Sequence, residues 1–402
     1  MGFDFTSIMD RAGHDAIAVD AIGSGGMAPG APEAGFDVIP MWVADMNFPT
    51  CPAVTRAIVE RAQHPAFGYY APSKAFYRAV IDWQRERNGA RGLEAHHIGY
   101  ENGVLGGVVS ALRAFAAPGD AVLVHSPTYI GFTKSLENNG FRIVRSPLVQ
   151  DEAGTFRMDY EDMAAKLEES HAHVAIFCSP HNPTGRVWER EEVERAMEVY
   201  AAHDCVVVSD EIWSDLILPG CGRAHVPTQS VSEDARRRTV ALYAPSKTFN
   251  LAGLVGSYSV IYDDYLRDRE RAQASKSHYD SMNVLWMHAA IGAYSAEGRA
   301  WVDELREVLD ENVRVACAYV AGFEGVRVSR PEGTYMLWLD CTEWCSRHGK
   351  DVGELLAAGW RVGVAWQDGR PFHGPCHIRM NLALPTARVR EAFERLATHV
   401  FA

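Results

Sequence analysis

The chain has 402 residues, 47% of them hydrophobic and 23% charged, with a formal net charge of -13 at pH 7. That length and apolar content leave room for a large core in two or three structural units and exclude a disordered chain. The acidic balance has no basic block to offset it, which argues against a nucleic-acid or anionic-membrane surface and leaves small molecules and other protein chains as the expected partners.

The first 45 residues are rich in Gly and Pro and begin MGFDFTSIMDRAGHD, with neither the basic start nor the apolar core of a signal peptide. They are expected to form an arm that rejoins the C-terminal part of the chain. No apolar run approaches the roughly 18 residues needed to span a bilayer, so a cytoplasmic location is expected. From Glu101 onward, helix-like segments and short β-branched runs take turns: GVVSALRAF, DAVLVHSP, FRIVRSP, MAAKLEES, HVAIFCSP, REEVERAMEVYAAH, CVVVSDE and TVALYAPSK. Such alternation predicts an α/β fold with a mostly parallel sheet covered by helices on both faces. After about residue 290 a long polar helix, AWVDELREVLDENVRVACAYV, and the run VRVSRPEGTYMLWLD predict a smaller α+β domain. The expected division is 47–289 for the large domain and 1–46 plus 290–402 for the small one. The eight cysteines are scattered, several within apolar runs, as reduced buried thiols are.

Several predicted strands end in a turn carrying polar residues, and in open α/β sheets such turns converge on one ligand site. Ser209-Asp210-Glu211 ends one strand and Ser246-Lys247-Thr248 ends the next. Lysine is the usual partner of an aldehyde in a Schiff base, and a pyridine ring used as an electron sink needs a carboxylate to keep its nitrogen protonated. On those two residues alone, a surface Lys-Asp pair at the sheet ends is an equally good reading. Other turns break the tie. Asn182, in SPHNPTG, can donate an amide hydrogen to a phenolate oxygen; the segment ENGVLGG opens a helix whose free N-H groups at Val104 and Leu105 suit a phosphate; Tyr129 offers a face that stacks on a pyridine. Arg379, set between apolar residues in HIRMN, suits a two-point grip on a carboxylate.

With Asn182, Asp210, Lys247 and Arg379 in that order, the sequence resembles the fold-type I pyridoxal phosphate enzymes of the aminotransferase class I and II superfamily. More narrowly, MWVADMNFPTCP, AFGYY, PHNPTGRVW, SDEIWSDL and APSKTFNLAGL are similar to the carbon-sulfur β-lyases of the MalY/PatB type. The resemblance implies a homodimer using pyridoxal 5'-phosphate. In it Lys247 forms the imine with the cofactor, Asp210 pairs with the ring nitrogen, Asn182 contacts the ring oxygen and Tyr129 stacks. Arg379 is implied to hold the carboxylate of an amino acid substrate, and Tyr69, in FGYY, to reach the phosphate in the partner subunit.

Two positions depart from the pattern. Trp213 stands where relatives often carry a tyrosine or histidine against the ring oxygen, and Val255 stands where many place a basic phosphate ligand. Phosphate binding is then expected to rest on Ser246, the amides of Val104 and Leu105, and Tyr69. Neither Gly23-Ser24-Gly25-Gly26 nor the set Cys341, Cys345, His348, His373, Cys376 and His377 has the spacing of a dinucleotide loop or a metal site. The acidic stretch from Val302 to Val313 is expected to be a solvated helix face. The catalytic residues serve β-elimination, amino transfer and racemisation equally, and the lyase expectation rests on the narrower resemblance. A catalytically silent binding protein is disfavoured because the lysine and its aspartate are both present.

Overall fold

The alternating segments form a seven-stranded sheet in the computed structural model, which describes residues 2–402. Its strands are β1 (Ile98–Glu101), β2 (Ala121–Ser126), β3 (Arg142–Pro147), β4 (Val174–Cys178), β5 (Val206–Asp210), β6 (Thr239–Tyr243) and β7 (Ser257–Val260). Their order is β1-β7-β6-β5-β4-β2-β3, and only β7 runs against the others. Every residue of β4 and β6 is buried, which explains why these strands read as continuous apolar runs: a parallel sheet covered on both faces has no solvent side. Between the strands lie α1 (Val104–Phe115), α2 (Ile130–Asn138), α3 (Tyr160–Ser170) and α4 (Arg190–Ala202), with α5 (Asp264–Ser277) following β7.

The polar helix after residue 290 is α6 (Ala296–Val320), capped at its start by Ser295, whose side chain accepts the Gly298 N-H. Such a cap contributes about 1 kcal/mol. One side of α6 buries Trp301, Val302, Leu305 and Leu309, while Asp303, Glu304 and Glu307 stay exposed. Beyond it a four-stranded antiparallel sheet orders as β8-β9-β11-β10, from β8 (Arg327–Val328), β9 (Met336–Asp340), β10 (Gln367–Asp368) and β11 (His377–Asn381). The N-terminal arm does rejoin this region, because Ile39–Pro40 pairs in parallel with Val364–Ala365. Among the described residues no helix is long and apolar enough to cross a membrane.

A buried carboxyl pair joins the end of β1 to α5, beside α1. Glu101 and Glu270 are each 1% exposed and face one another, with the Ser110 hydroxyl donating to Glu101 Oε2 at 3.0 Å. Two carboxyls sharing a dry space cannot both ionise, so burial and mutual repulsion push Glu101 well above the usual carboxylate range. Its unfolded value is about 4.3, so the stability it contributes is complete below that pH and is lost as pH rises towards the folded value. Glu101→Gln keeps a donor towards Glu270 without needing a proton. The melting temperature of Glu101→Gln minus that of the wild type is therefore expected to grow more positive between pH 5 and pH 9. A difference that stays flat in thermal melts across that range would count against the shared proton.

Candidate active site

The register of β4, β5 and β6 aligns Cys178, Asp210 and Leu242 in one row, so the turns that follow these strands open at the same edge. Asp210 is 4% exposed, and the Ile212 N-H, at 3.0 Å from Oδ1, is the one hydrogen-bond donor to its carboxyl among the described residues. Burial pushes its carboxyl up to about 7, against the pull of that N-H and of Lys247. Lys247 follows β6 in a half-buried turn, and its Nζ donates to the Ala44 carbonyl at 2.8 Å. Burial and then Arg379 lower its ammonium to about 8, against the pull of the Asp45 and Asp210 carboxylates.

Asn182 sits in the turn after β4, which leans on the small sheet. Gly185, at φ +71°, accepts the N-H groups of Glu332 and Gly333 on its carbonyl at 2.9 Å each, and a Cβ at Gly185 would lie 2.4 Å from Pro331 Cβ. Only glycine fits there. Arg186 fastens the same turn through its buried pairs with Glu192 and Glu332. Arg379, on β11, is 3% exposed and donates to Asn182 Oδ1 at 3.1 Å, to the Trp42 carbonyl at 3.2 Å and to Gln367 Oε1. Its guanidinium lies 4.5 Å from the centre of the Phe372 ring, while Nε is buried without a partner. Burial lowers the guanidinium to about 10. A carboxylate delivered to that free edge would satisfy it.

Val104 and Leu105 open α1 behind Gly103, which has φ +78° and offers no side-chain cap, so the first N-H groups of the helix are unclaimed. Tyr129 precedes α2, and its ring lies over Gly131: a Cβ there would meet the ring at 2.4 Å and Leu105 Cδ1 at 3.0 Å. Tyr129 and the start of α1 are thus neighbours. Ser246 lies beside Lys247 with its Oγ at 3.5 Å from the Gly256 carbonyl, next in the chain to Val255. Val255 adopts φ +43°, is 49% exposed, and reaches to 3.8 Å from the Cβ position of Gly103, so it faces the open helix start. Trp213 is buried, with its ring 5.7 Å from Lys247 Nζ and edge-on to Tyr335 at 4.7 Å. Tyr69 stands apart from all of these and is fully exposed.

The fold thus gathers nine of the ten expected site residues and leaves Tyr69 facing outward. Sequence reasoning missed the arm's contribution: Trp42 and Ala44 offer backbone carbonyls to Arg379 and Lys247, and Arg11 holds Asp45 in a 2.6 Å ion pair beside them. A carbonyl role leaves no mark in residue type, although MWVADM lies within the stretch that carried the resemblance. Gln367 and Phe372 were missed for a similar reason, being ordinary residues of a strand and turn until Arg379 is placed among them. These groups fit pyridoxal phosphate. Asp210 has room for a cationic partner, α1 presents unclaimed N-H groups, and Gly131 makes space for the Tyr129 ring.

The Asp45 carboxylate favours the charged form of Lys247, so Asp45→Asn is expected to move the titration of that amine below its value near 8. Arg379→Gln should move it the other way. Differential acetylation of the cofactor-free protein across pH, read by peptide mapping, measures both; shifts of the same sign would contradict the electrostatic arrangement.

Known proteins resemble this chain along most of its length. Residues 37–396 match the family described as "Aminotransferase class I and II". The chain is 34% identical over 364 residues to cystathionine beta-lyase PatB of Bacillus subtilis, covering 90% of this chain and 92% of that one. Protein MalY of Escherichia coli is 30% identical over 84% of each chain. Cystalysin from Treponema denticola, solved with its pyridoxal 5'-phosphate, superposes with a TM-score of 0.90 at 27% identity, covering 100% of this chain and 99% of that one. The PLP-bound C-S lyase from Staphylococcus hominis gives a TM-score of 0.88 at 26% identity, over 100% and 99% of the two chains. The match along nearly the whole chain and the fold shared with these cofactor-bound structures lead to one conclusion: the chain belongs to the class I and II aminotransferase family of fold-type I pyridoxal phosphate enzymes, with the PatB/MalY-type lyases as its kin.

Proposed function

We propose that the protein is a carbon-sulfur β-lyase, cleaving L-cystathionine or related cysteine S-conjugates to a thiol, pyruvate and ammonia. The reading is carried by the 34% identity, over nine-tenths of the chain, to a relative named cystathionine beta-lyase, and it is supported by a site with the groups such a reaction needs. When bound, the cofactor links to the substrate amino group and draws electrons away from Cα. The chain's own residues do the rest. Arg379, steadied by Asn182 and Gln367, grips the substrate carboxylate and so fixes the direction of the Cα-H bond. Lys247, with an amine poised near 8, removes the Cα proton and holds it at Nζ. Asp210 keeps a proton on the ring nitrogen by pairing with it in a buried setting. Trp213 and Tyr335 close the inner wall against water.

Phosphate binding falls to the N-H groups of Val104 and Leu105, to Ser246 and, in a homodimer, to Tyr69 of the partner subunit. Full exposure of Tyr69, with Phe67 also exposed beside it, supports that assembly. The domain limits 47–289 and 1–46 plus 290–402 belong to the same reading, supported by the two separate sheets and by the arm's pairing with 364–365. Eight unpaired cysteines fit a reducing cytoplasm.

Elimination needs no second substrate, whereas amino transfer stops after one turnover per site unless a keto acid takes the amino group. The protein incubated with L-cystathionine and no keto acid is expected to release thiol, pyruvate and ammonia in equal amounts over many turnovers, and Arg379→Ala to cut kcat/KM at least about a hundredfold. Product that halts at one equivalent and resumes on adding a keto acid would make this an aminotransferase instead.

Val255 faces the open start of α1, so Val255→Arg places a cation against the phosphate. A charge-assisted hydrogen bond is worth about 1.5-3 kcal/mol, and slower cofactor loss on dialysis is expected. Unchanged retention in a folded variant would show that the phosphate is already saturated by other groups.

A further inference from the structure

The arm from Trp42 to Met46 crosses the site with its carbonyls claimed one after another by side chains from elsewhere in the fold. Arg379 donates to Trp42, the Asn381 amide to both Val43 and Asp45, and the Asn250 amide to Met46 at 2.9 Å. The Ala44 carbonyl alone has two donors. One is Lys247 Nζ at 2.8 Å and the other is the Tyr335 hydroxyl at 3.0 Å. Tyr335 is completely buried just before β9, with its ring edge-on to Trp213, whose own ring lies 5.7 Å from Nζ.

Resting on the reading of Lys247 as the reactive amine, we propose that Tyr335 is a positioning residue that pins the Ala44 carbonyl as a fixed dock for that amine. The lysine must leave its covalent link and return to it in each cycle, and between those events an untethered side chain with four rotatable carbons would wander. A carbonyl held at one point stops this. Tyr335 can do the holding at every working pH, because burial pushes its phenol well above the ordinary value and keeps the hydroxyl a donor. Lys247 fills the remaining lone pair of the same oxygen, with the Trp213 ring 5.7 Å from its Nζ. Asn381 fixes the peptides on either side, and the hydroxyl of Tyr335 holds the Ala44 oxygen itself. The charged lysine gains most from such an acceptor, since hydrogen bonds to ions are about twice as strong as neutral ones.

The test is Tyr335→Phe, which removes one oxygen from a buried ring and leaves its packing on Trp213. In the cofactor-free protein, differential acetylation of Lys247 across pH should show the amine titrating about one unit lower than in the wild type, because the ammonium loses its fixed acceptor. In the loaded enzyme kcat should fall about tenfold with KM little changed, as expected when the amine and not the carboxylate grip is disturbed. Asn381→Ala, which frees the flanking carbonyls, should lower the same titration and serves if the first variant does not fold. A titration that is unmoved in both variants, or that rises because Lys247 no longer shares the carbonyl, overturns the proposal. Borohydride reduction of the holoenzyme separates the two levels of inference: a label on another lysine sinks the Lys247 reading itself, while a label on Lys247 with an unmoved titration sinks only the role of Tyr335.

Discussion

Burying the guanidinium of Arg379 is the constraint around which the rest of the molecule is arranged. An arginine out of contact with water is costly unless its N-H groups are met, and among the described residues no carboxylate pairs with it. Its partners are neutral oxygens drawn from separate parts of the fold: the Asn182 turn after β4, Gln367 of β10, and the Trp42 carbonyl of the arm. Meeting that one group therefore brings the large sheet, the small sheet and the N-terminal arm to a common point. Neutral oxygens also leave the positive charge uncancelled, which the proposed grip on a substrate carboxylate needs.

The same closure sets the electrostatics. Asp210 is raised and Lys247 lowered by one cause, removal from water, and Arg379 lowers the lysine further across the site. A carboxyl near 7 and an amine near 8 are both within easy reach of proton exchange at neutral pH. Behind Asp210 lies a second buried cluster, in which Glu211 accepts from Tyr243 at 2.6 Å and pairs with His225 at 2.7 Å. These bonds keep Glu211 ionised despite complete burial, and its charge helps to hold the Asp210 carboxyl up.

Much of the fold was legible because its signals are local. Val174–Cys178 and Thr239–Tyr243 could be read as buried strands from continuous β-branched and apolar runs, and α6 from the spacing of Trp301, Leu305 and Leu309. The helix Ile130–Asn138 and the antiparallel strand Ser257–Val260 were harder to see, because one is short with a glycine in its first turn and the other alternates serine with tyrosine and valine. Lys247, Asp210 and Asn182 stood out because a charged or amide residue at or just past the end of an apolar strand is conspicuous, and Arg379 because it stands between apolar residues within a strand. Tyr335 and Gln367 did not, since each is unremarkable in its own strand or turn.

What the sequence by itself determined was the set of chemical groups and the strand ends that would carry them, since both follow from residue type and near-neighbour pattern. Only the tertiary structure decided how those groups act on one another. The value of a buried charge depends on which oxygens and charges surround it, and for Arg379 and Lys247 those neighbours lie as much as 337 and 203 residues away along the chain. The arm shows this most plainly: its contribution is made through backbone carbonyls at Trp42 and Ala44, which every residue possesses, so their meaning comes entirely from where folding puts them.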